Sequence, residues 1–214
     1  MTEERLDIYD ASGRPLGTAT RAEAHRQGYW HRTLHCWLAR RGSGALFVRF
    51  QRRHAAKDTY PGCFDVTAAG HLAAGETVRE ATREIEEELG VAAPFEALIP
   101  LGEVREERSF LAHGRRVVDR EFSAVYGWLA DLPLEALRPQ PEEVAGIYEA
   151  ELPALIALFE DEVAEIRAAG YAAAGDGRLL SERRLVRADA FVPRRHGYYS
   201  QTLRRLAEAL GQPY

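Results

Sequence analysis

Between residues 46 and 53 the chain reads Leu-Phe-Val-Arg-Phe-Gln-Arg-Arg, an apolar–polar alternation that predicts a strand with one face on a core. Residues 32–40 and 45–51 pair as two strands joined by Arg41-Gly42-Ser43-Gly44. Residues 5–9 and 15–20 predict a hairpin around Asp10-Ala11-Ser12-Gly13, with a short helix near 21–27 after it. A strand is expected at 64–69, and others near 98–106, 116–129 and 144–149, with a helix at 152–163. Gly175-Asp176-Gly177 predicts another hairpin turn. Near the end, Tyr199, Leu203, Leu206 and Leu210 recur at helical spacing over 198–210, which predicts an amphipathic helix. The mixture predicts an α/β fold.

One stretch breaks the rules of stability. In residues 70–91, GHLAAGETVREATREIEEELGV, the carboxylates Glu84, Glu86, Glu87 and Glu88 crowd the last turns of a helix that Gly90 terminates. Acidic side chains at that end oppose the helix dipole and repel one another. The helix opens at Thr77 or at Gly75-Glu76, and Ala81 and Ile85 form its apolar stripe. Glu84, Glu87 and Glu88 share one face, which Glu80 extends, while Glu86 points to solvent. Oxygen ligands converging from one face suit Mg²⁺ or Mn²⁺.

The same stretch resembles the Nudix box, G-x5-E-x7-R-E-U-x-E-E-x-G-U with U aliphatic. Gly70, Glu76, Arg83, Glu84, Ile85, Glu87, Glu88, Gly90 and Val91 fill its slots, with six residues instead of seven between Glu76 and Arg83. The resemblance implies a Nudix-type α/β/α sandwich with a mixed central sheet, here with an N-terminal hairpin and a C-terminal helix. A single domain would span 1–214, with residues 1–30 as an N-terminal extension and 165–214 as a C-terminal addition. It also implies that Glu84, Glu87 and Glu88 bind Mg²⁺ or Mn²⁺, that Arg83 orients them, and that a diphosphate linkage is hydrolysed.

Residues 4–71 resemble one branch of that family, the relatives of isopentenyl-diphosphate isomerase. The resemblance is carried by Gly28-Tyr29-Trp30-His31-Arg32 after His25, by Gln51-Arg52-Arg53 with Lys57, and by Tyr60-Pro61-Gly62 leading to Ala69-Gly70-His71. It implies metal ligation by His71, His31 and Glu121, with Asp119 a neighbouring carboxylate and His25 near a further histidine slot. Arg52, Arg53 and Lys57 are the implied phosphate contacts; strand alternation puts only one of the two arginines toward a site. Ala69 stands where the isomerases carry a catalytic cysteine, and a methyl group transfers no proton. Glu142 and Glu143 lie in a loop of the kind that supplies a general base.

Composition narrows the partners. With 46% hydrophobic residues in 214, the chain can build a sizeable core. Its net charge of −5 argues against a nucleic-acid partner. No membrane-length apolar run and no signal-like N-terminus is visible, and two cysteines, Cys36 and Cys63, make no disulfide framework, so a cytoplasmic protein is expected. The exposed edge of the N-terminal hairpin leaves room for a homodimer. The expected partner is a small-molecule diphosphate. Specificity is expected in segments 104–116 and 165–200, whose aromatics Phe110, Tyr171, Phe191, Tyr198 and Tyr199 suit either a base or a core. The leading class is a metal-dependent hydrolase; the alternatives are an isomerase-like enzyme and a noncatalytic ligand-binding Nudix domain.

Overall fold

The computed structural model describes residues 3–212 apart from 43, 113 and 174–177. Strands β1 (Arg5–Tyr9) and β2 (Pro15–Thr20) form the predicted antiparallel hairpin. Its turn is held by the Asp10 carboxylate, which accepts from the Ser12 N–H at 2.8 Å and the Arg14 N–H at 3.0 Å. Helix α1 (Arg21–Gln27) starts where the Thr20 hydroxyl accepts from the Glu23 N–H and ends at Gly28, whose φ of 69° suits the left-handed cap.

Strand β3 (Trp30–Arg41) is the spine. It pairs antiparallel with β4 (Leu46–Arg53) at one end and, farther down, with β6 (Ala68–His71). The strand expected at 64–69 is therefore two: β5 (Phe64–Asp65) lies on β4, and the chain then crosses to β3 as β6. Thr67 makes the crossing tolerable. Its hydroxyl donates to the Arg49 carbonyl and accepts from the Leu38 N–H at 2.9 Å, satisfying backbone groups where β3 and β4 splay apart. Strands β7 (Leu98–Ala112) and β8 (Arg115–Leu129) form a long hairpin, and β8 runs parallel to β3, which makes the sheet mixed. Beyond β4 lie β9 (Val144–Glu151), β10 (Ile166–Ala173) and the edge strand β11 (Leu179–Val186). The turn predicted at Gly175-Asp176-Gly177 lies outside the described residues.

Helices cover both faces. Against one packs α2 (Arg83–Leu89), with Ile85 and Leu89 among Leu34, Leu38 and Trp128. Both side chains are fully buried, worth roughly 2–3 kcal/mol each. That exceeds the few tenths of a kcal/mol per like-charged pair that the glutamates cost. On the other face α3 (Leu152–Phe159) and α4 (Tyr198–Ala209) pack Leu155, Leu203 and Leu206 with Trp37, Phe50 and Tyr148. The result is the α/β/α sandwich. Helix α2 is shorter than its pattern implies: residues 80–82 form a 3₁₀ turn, and Glu80 accepts from the Thr77 N–H and hydroxyl. Glu80 is thus a capping carboxylate and does not extend the acidic face. Helix α3 stops at Phe159, before the expected 163, because Glu160-Asp161-Glu162 would burden its C-terminus with negative charge. Asp161 leaves it with φ 59°. Among the described residues no helix is long and apolar enough to cross a membrane.

Candidate active site

A cavity of about 340 Å³ opens beside α2, with walls from α1, β3, β4, β6, β8 and the segment before α4. Glu84, Glu87 and Glu88 all line it, while Glu86 is exposed elsewhere on the helix. Glu88 is buried, and its Oε2 accepts from Gln51 Nε2 at 2.9 Å and the Ala69 N–H at 3.0 Å. Glu84 Oε1 lies 2.6 Å from Arg83 Nη1. Glu87, half exposed at 54%, lies 3.2 Å from the same nitrogen. Arg83 is itself anchored: Nε donates to Glu76 Oε1 at 2.7 Å, and Nη2 to the His71 carbonyl at 3.2 Å. Glu76 also accepts from the Ala73 N–H. The one-residue deletion is absorbed in the loop, and Glu76 still reaches Arg83.

This geometry crowds anionic oxygens. Burial pushes the Glu88 carboxyl up to about 7, and the Lys57 ammonium only partly offsets it. Burial, opposed by Arg83 and reinforced by Glu87, raises Glu84 to about 6. A divalent cation would reverse both shifts, and an all-oxygen set is the right chemistry for Mg²⁺ or Mn²⁺.

Facing these glutamates is a second cluster. Nitrogens of His25, His31 and His71 lie within 4.8 Å of one another, as do ligand atoms of His31, Asp119 and Glu121. His31 is adjacent to Glu121 in the β3–β8 register, and α1 brings His25 alongside. The Nε2 atoms of His25, His31 and His71 and Oδ1 of Asp119 are buried with no hydrogen-bond partner among the described residues. Leaving four such atoms unsatisfied is costly, and a shared cation is the economical solution. Burial, aided by neighbouring histidines and Arg21, lowers His25 to about 4 and His71 well below its ordinary value. Neutral imidazoles keep the lone pairs a metal needs. The structure thus places the expected ligands His31, His71 and Glu121 in one cluster, with His25 and Asp119 beside them. Helix α1, bounded by Thr20 and Gly28, carries His25 to this cluster.

The basic residues sort differently. Arg53 lines the cavity, donating to the Thr59 carbonyl at 3.0 Å and to Asp65 Oδ2 at 3.3 Å. Lys57 lines it too, paired with Glu143. Arg52 does not: it is on the opposite face of β4, with Nε 3.3 Å from the Gly62 carbonyl, so the phosphate contact expected of it is not supported. Glu142 likewise stays outside, whereas Glu143 is at the rim.

Sequence reasoning missed the inner wall. Asp65 lies between Arg194, 2.8 Å away, and Arg53, and these guanidiniums overcome burial to hold its carboxyl at about 2. Arg194 also approaches Glu106, and Arg108 bonds Asp119 at 2.7 Å and Glu121 at 3.2 Å. Arg108 and Arg194 come from the two segments expected to carry specificity. The aromatics there went elsewhere: Phe191, Tyr198 and Tyr199 are core, Tyr171 pairs with Glu135, and Phe110 packs on Tyr60. Both cysteines are free; Cys36 is buried and its thiol is pushed up to about 12.

Known proteins resemble this chain in sequence and fold. A family model of the NUDIX domain matches residues 30–169. The chain is 37% identical to an uncharacterised Nudix hydrolase of Clostridium acetobutylicum, over 97% of this chain and 99% of that one. It is 32% identical to the isopentenyl-diphosphate Delta-isomerase of Corynebacterium diphtheriae, over 66% of this chain and 75% of the isomerase. The crystal structure of DR0079 from Deinococcus radiodurans matches with a TM-score of 0.54 at 26% identity, covering 74% of this chain and 90% of that one. With the domain matched over more than half its length, the chain belongs to the Nudix family and has relatives among both its hydrolases and its isomerases.

Proposed function

We propose that the protein is a metal-dependent hydrolase that cleaves the diphosphate linkage of a nucleoside diphosphate derivative or another organic diphosphate. The observation that carries this reading is the convergence of Glu84, Glu87 and Glu88 on one cavity with Arg53 and Lys57. Glu84, Glu87 and Glu88 would hold Mg²⁺ or Mn²⁺, and His25, His31, His71, Asp119 and Glu121 a second divalent ion. Bound there, such ions supply charge neutralisation at phosphate oxygens and a lowered pKa for coordinated water.

The chain's own residues account for the rest. Arg53 and Lys57 hold the diphosphate and offset charge that accumulates as the P–O bond breaks. Arg83, fixed by Glu76, keeps the Glu84 and Glu87 carboxylates turned to the cavity. Glu143, beside Lys57 at the rim, accepts the proton of the attacking water. Water adds to one phosphorus, the bridging oxygen leaves with the other phosphate, and two monophosphates result.

The test is formation of monophosphate products, followed chromatographically, from nucleoside diphosphates, sugar nucleotides, dinucleotides, coenzyme conjugates and prenyl diphosphates, with Mg²⁺ or Mn²⁺ and then with EDTA. Metal-dependent turnover of one class is expected. Inactivity on every class with every metal would overturn the reading in favour of a ligand-binding domain.

One observation favours a second reading: His25, His31, His71, Asp119 and Glu121 assemble at positions that resemble the isomerase metal ligands. Ala69, on the cavity wall, speaks against it, because no thiol is available to move a proton. Formation of dimethylallyl diphosphate from isopentenyl diphosphate by the purified protein would restore it.

A further inference from the structure

The inner end of the cavity has a chemistry that the diphosphate site does not need. Arg194 enters from the segment between β11 and α4, beyond residues 30–169 that the family shares. Its side chain is only 4% exposed, yet it lines the cavity. Nη2 donates to Asp65 Oδ1 at 2.8 Å, and Nη1 lies 3.4 Å from both Glu106 Oε2 and His35 Nε2. Nε has no hydrogen-bond partner among the described residues, and neither does Nε of Arg108, which stands 3.7 Å from Glu106 Oε2. A buried guanidinium N–H without an acceptor is costly, and ordinary folds rarely leave one.

The rest of the wall is equally polar. Thr33, His35 and Asp65 face the same space, and among the described residues its apolar side chains are Ala69, Val192 and the ring of Tyr60. A hydrocarbon placed there would desolvate charged groups without replacing their hydrogen bonds. Charge favours an acceptor as well. If a metal engages Asp119 and Glu121, as the proposed function has it, the carboxylates left to the guanidiniums of Arg53, Arg108 and Arg194 at this end are, among the described residues, Asp65 and Glu106.

We propose that this wall reads the organic part of the substrate: a compact polar group that presents a carboxylate or phosphate oxygen to Arg194 and Arg108, and not an isoprenoid chain. The inference rests on the proposed diphosphate site and adds the class of group attached to it. Arg194 is the specificity-determining residue, and Arg108 supports it.

A matched pair of ligands tests this without turnover. Mevalonate 5-diphosphate and isopentenyl diphosphate share a branched five-carbon skeleton, to which the first adds a carboxylate and a hydroxyl. With Ca²⁺ in place of Mg²⁺ to hold turnover back, calorimetric titration of the metal-loaded protein should give at least about tenfold tighter binding of mevalonate 5-diphosphate, the scale of one charge-assisted hydrogen bond. Arg194→Gln should erase that preference while changing isopentenyl diphosphate binding by less than about threefold. Arg194→Lys, which keeps the charge, should retain part of it. Because Arg194 is buried, Arg108→Gln provides a second variant, expected to reduce the preference if Arg194→Gln does not fold. Equal binding of both ligands by the wild type would overturn the inference, as would equal weakening of both in a folded Arg194→Gln protein. Neither result touches the hydrolase reading, which stands or falls on metal-dependent cleavage to monophosphates.

Discussion

Gly70 and Glu84 are in direct apposition: a Cβ added at Gly70 would lie 2.1 Å from Cδ of the Glu84 side chain. The first glycine of the acidic motif is therefore required by the carboxylate fourteen residues later, which needs its space. Gly70→Ala forces the Glu84 carboxylate to move, and because that group ends a flexible side chain, the backbone need not. The expected outcome is a folded protein with at least about tenfold weaker Mg²⁺ or Mn²⁺ binding, since ligand displacement of an ångström costs on that scale. Metal titration followed by calorimetry checks it; unchanged affinity would remove Glu84 from the ligand set.

Glu87 separates stability from chemistry. It is 54% exposed and among the described residues it pairs with Arg83 alone, so it contributes little to folding. Glu87→Gln should leave the melting temperature of the metal-free protein within about 2 °C of wild type. Hydrolysis should fall by at least about a hundredfold, the usual order for loss of a charge that stabilises the transition state. A variant with full activity on the true substrate would contradict the assignment.

How much of this was legible depends on the range of the interactions. Glu84, Glu87 and Glu88 could be placed on one face because helical spacing is local, and Gly90 could be read as a stop because its left-handed φ is a property of one residue. The split of the strand at 64–69 was hidden, since it depends on where β3 and β4 diverge, a relation between segments far apart in sequence. Arg194 was invisible for the same reason: its partners Asp65 and Glu106 are separated from it by 129 and 88 residues. No periodicity encodes such a pairing. Between these extremes, alternation along β4 limited the site to one of Arg52 and Arg53 without saying which.

That choice is now testable. Arg53 reaches the cavity, and Arg52 is tied to the Gly62 carbonyl on the other face. Arg53→Gln should raise KM or lower kcat/KM by roughly a hundredfold, as expected for a charge-assisted phosphate contact. Arg52→Gln should change either constant by less than about threefold. Steady-state kinetics on both variants decides it, and comparable losses would mean that β4 presents a different face to the substrate.

The neutral histidines predict an acid instability in the metal-free protein. Burial first, then the neighbouring His31 and Arg21, lower His25 from 6.5 to about 4. The unfolded chain thus holds this proton below pH 6.5, while the folded chain refuses it until about pH 4. Between those values the unfolded state binds more protons, so stability is greatest above pH 6.5 and is lost as pH falls. Integrated from pH 7 to 4, the loss through His25 is about 3 kcal/mol. Glu84 and Glu88 act oppositely, because their raised folded values favour the folded state in acid. They are common to both proteins in a comparison of wild type with His25→Asn, so the difference isolates the histidine. In EDTA, denaturant unfolding of the pair at pH 7 and pH 4 should show the variant gaining about 3 kcal/mol relative to wild type on acidification. If the two proteins lose stability in parallel, His25 is not buried as a neutral imidazole, and its place in a metal-binding cluster goes with it.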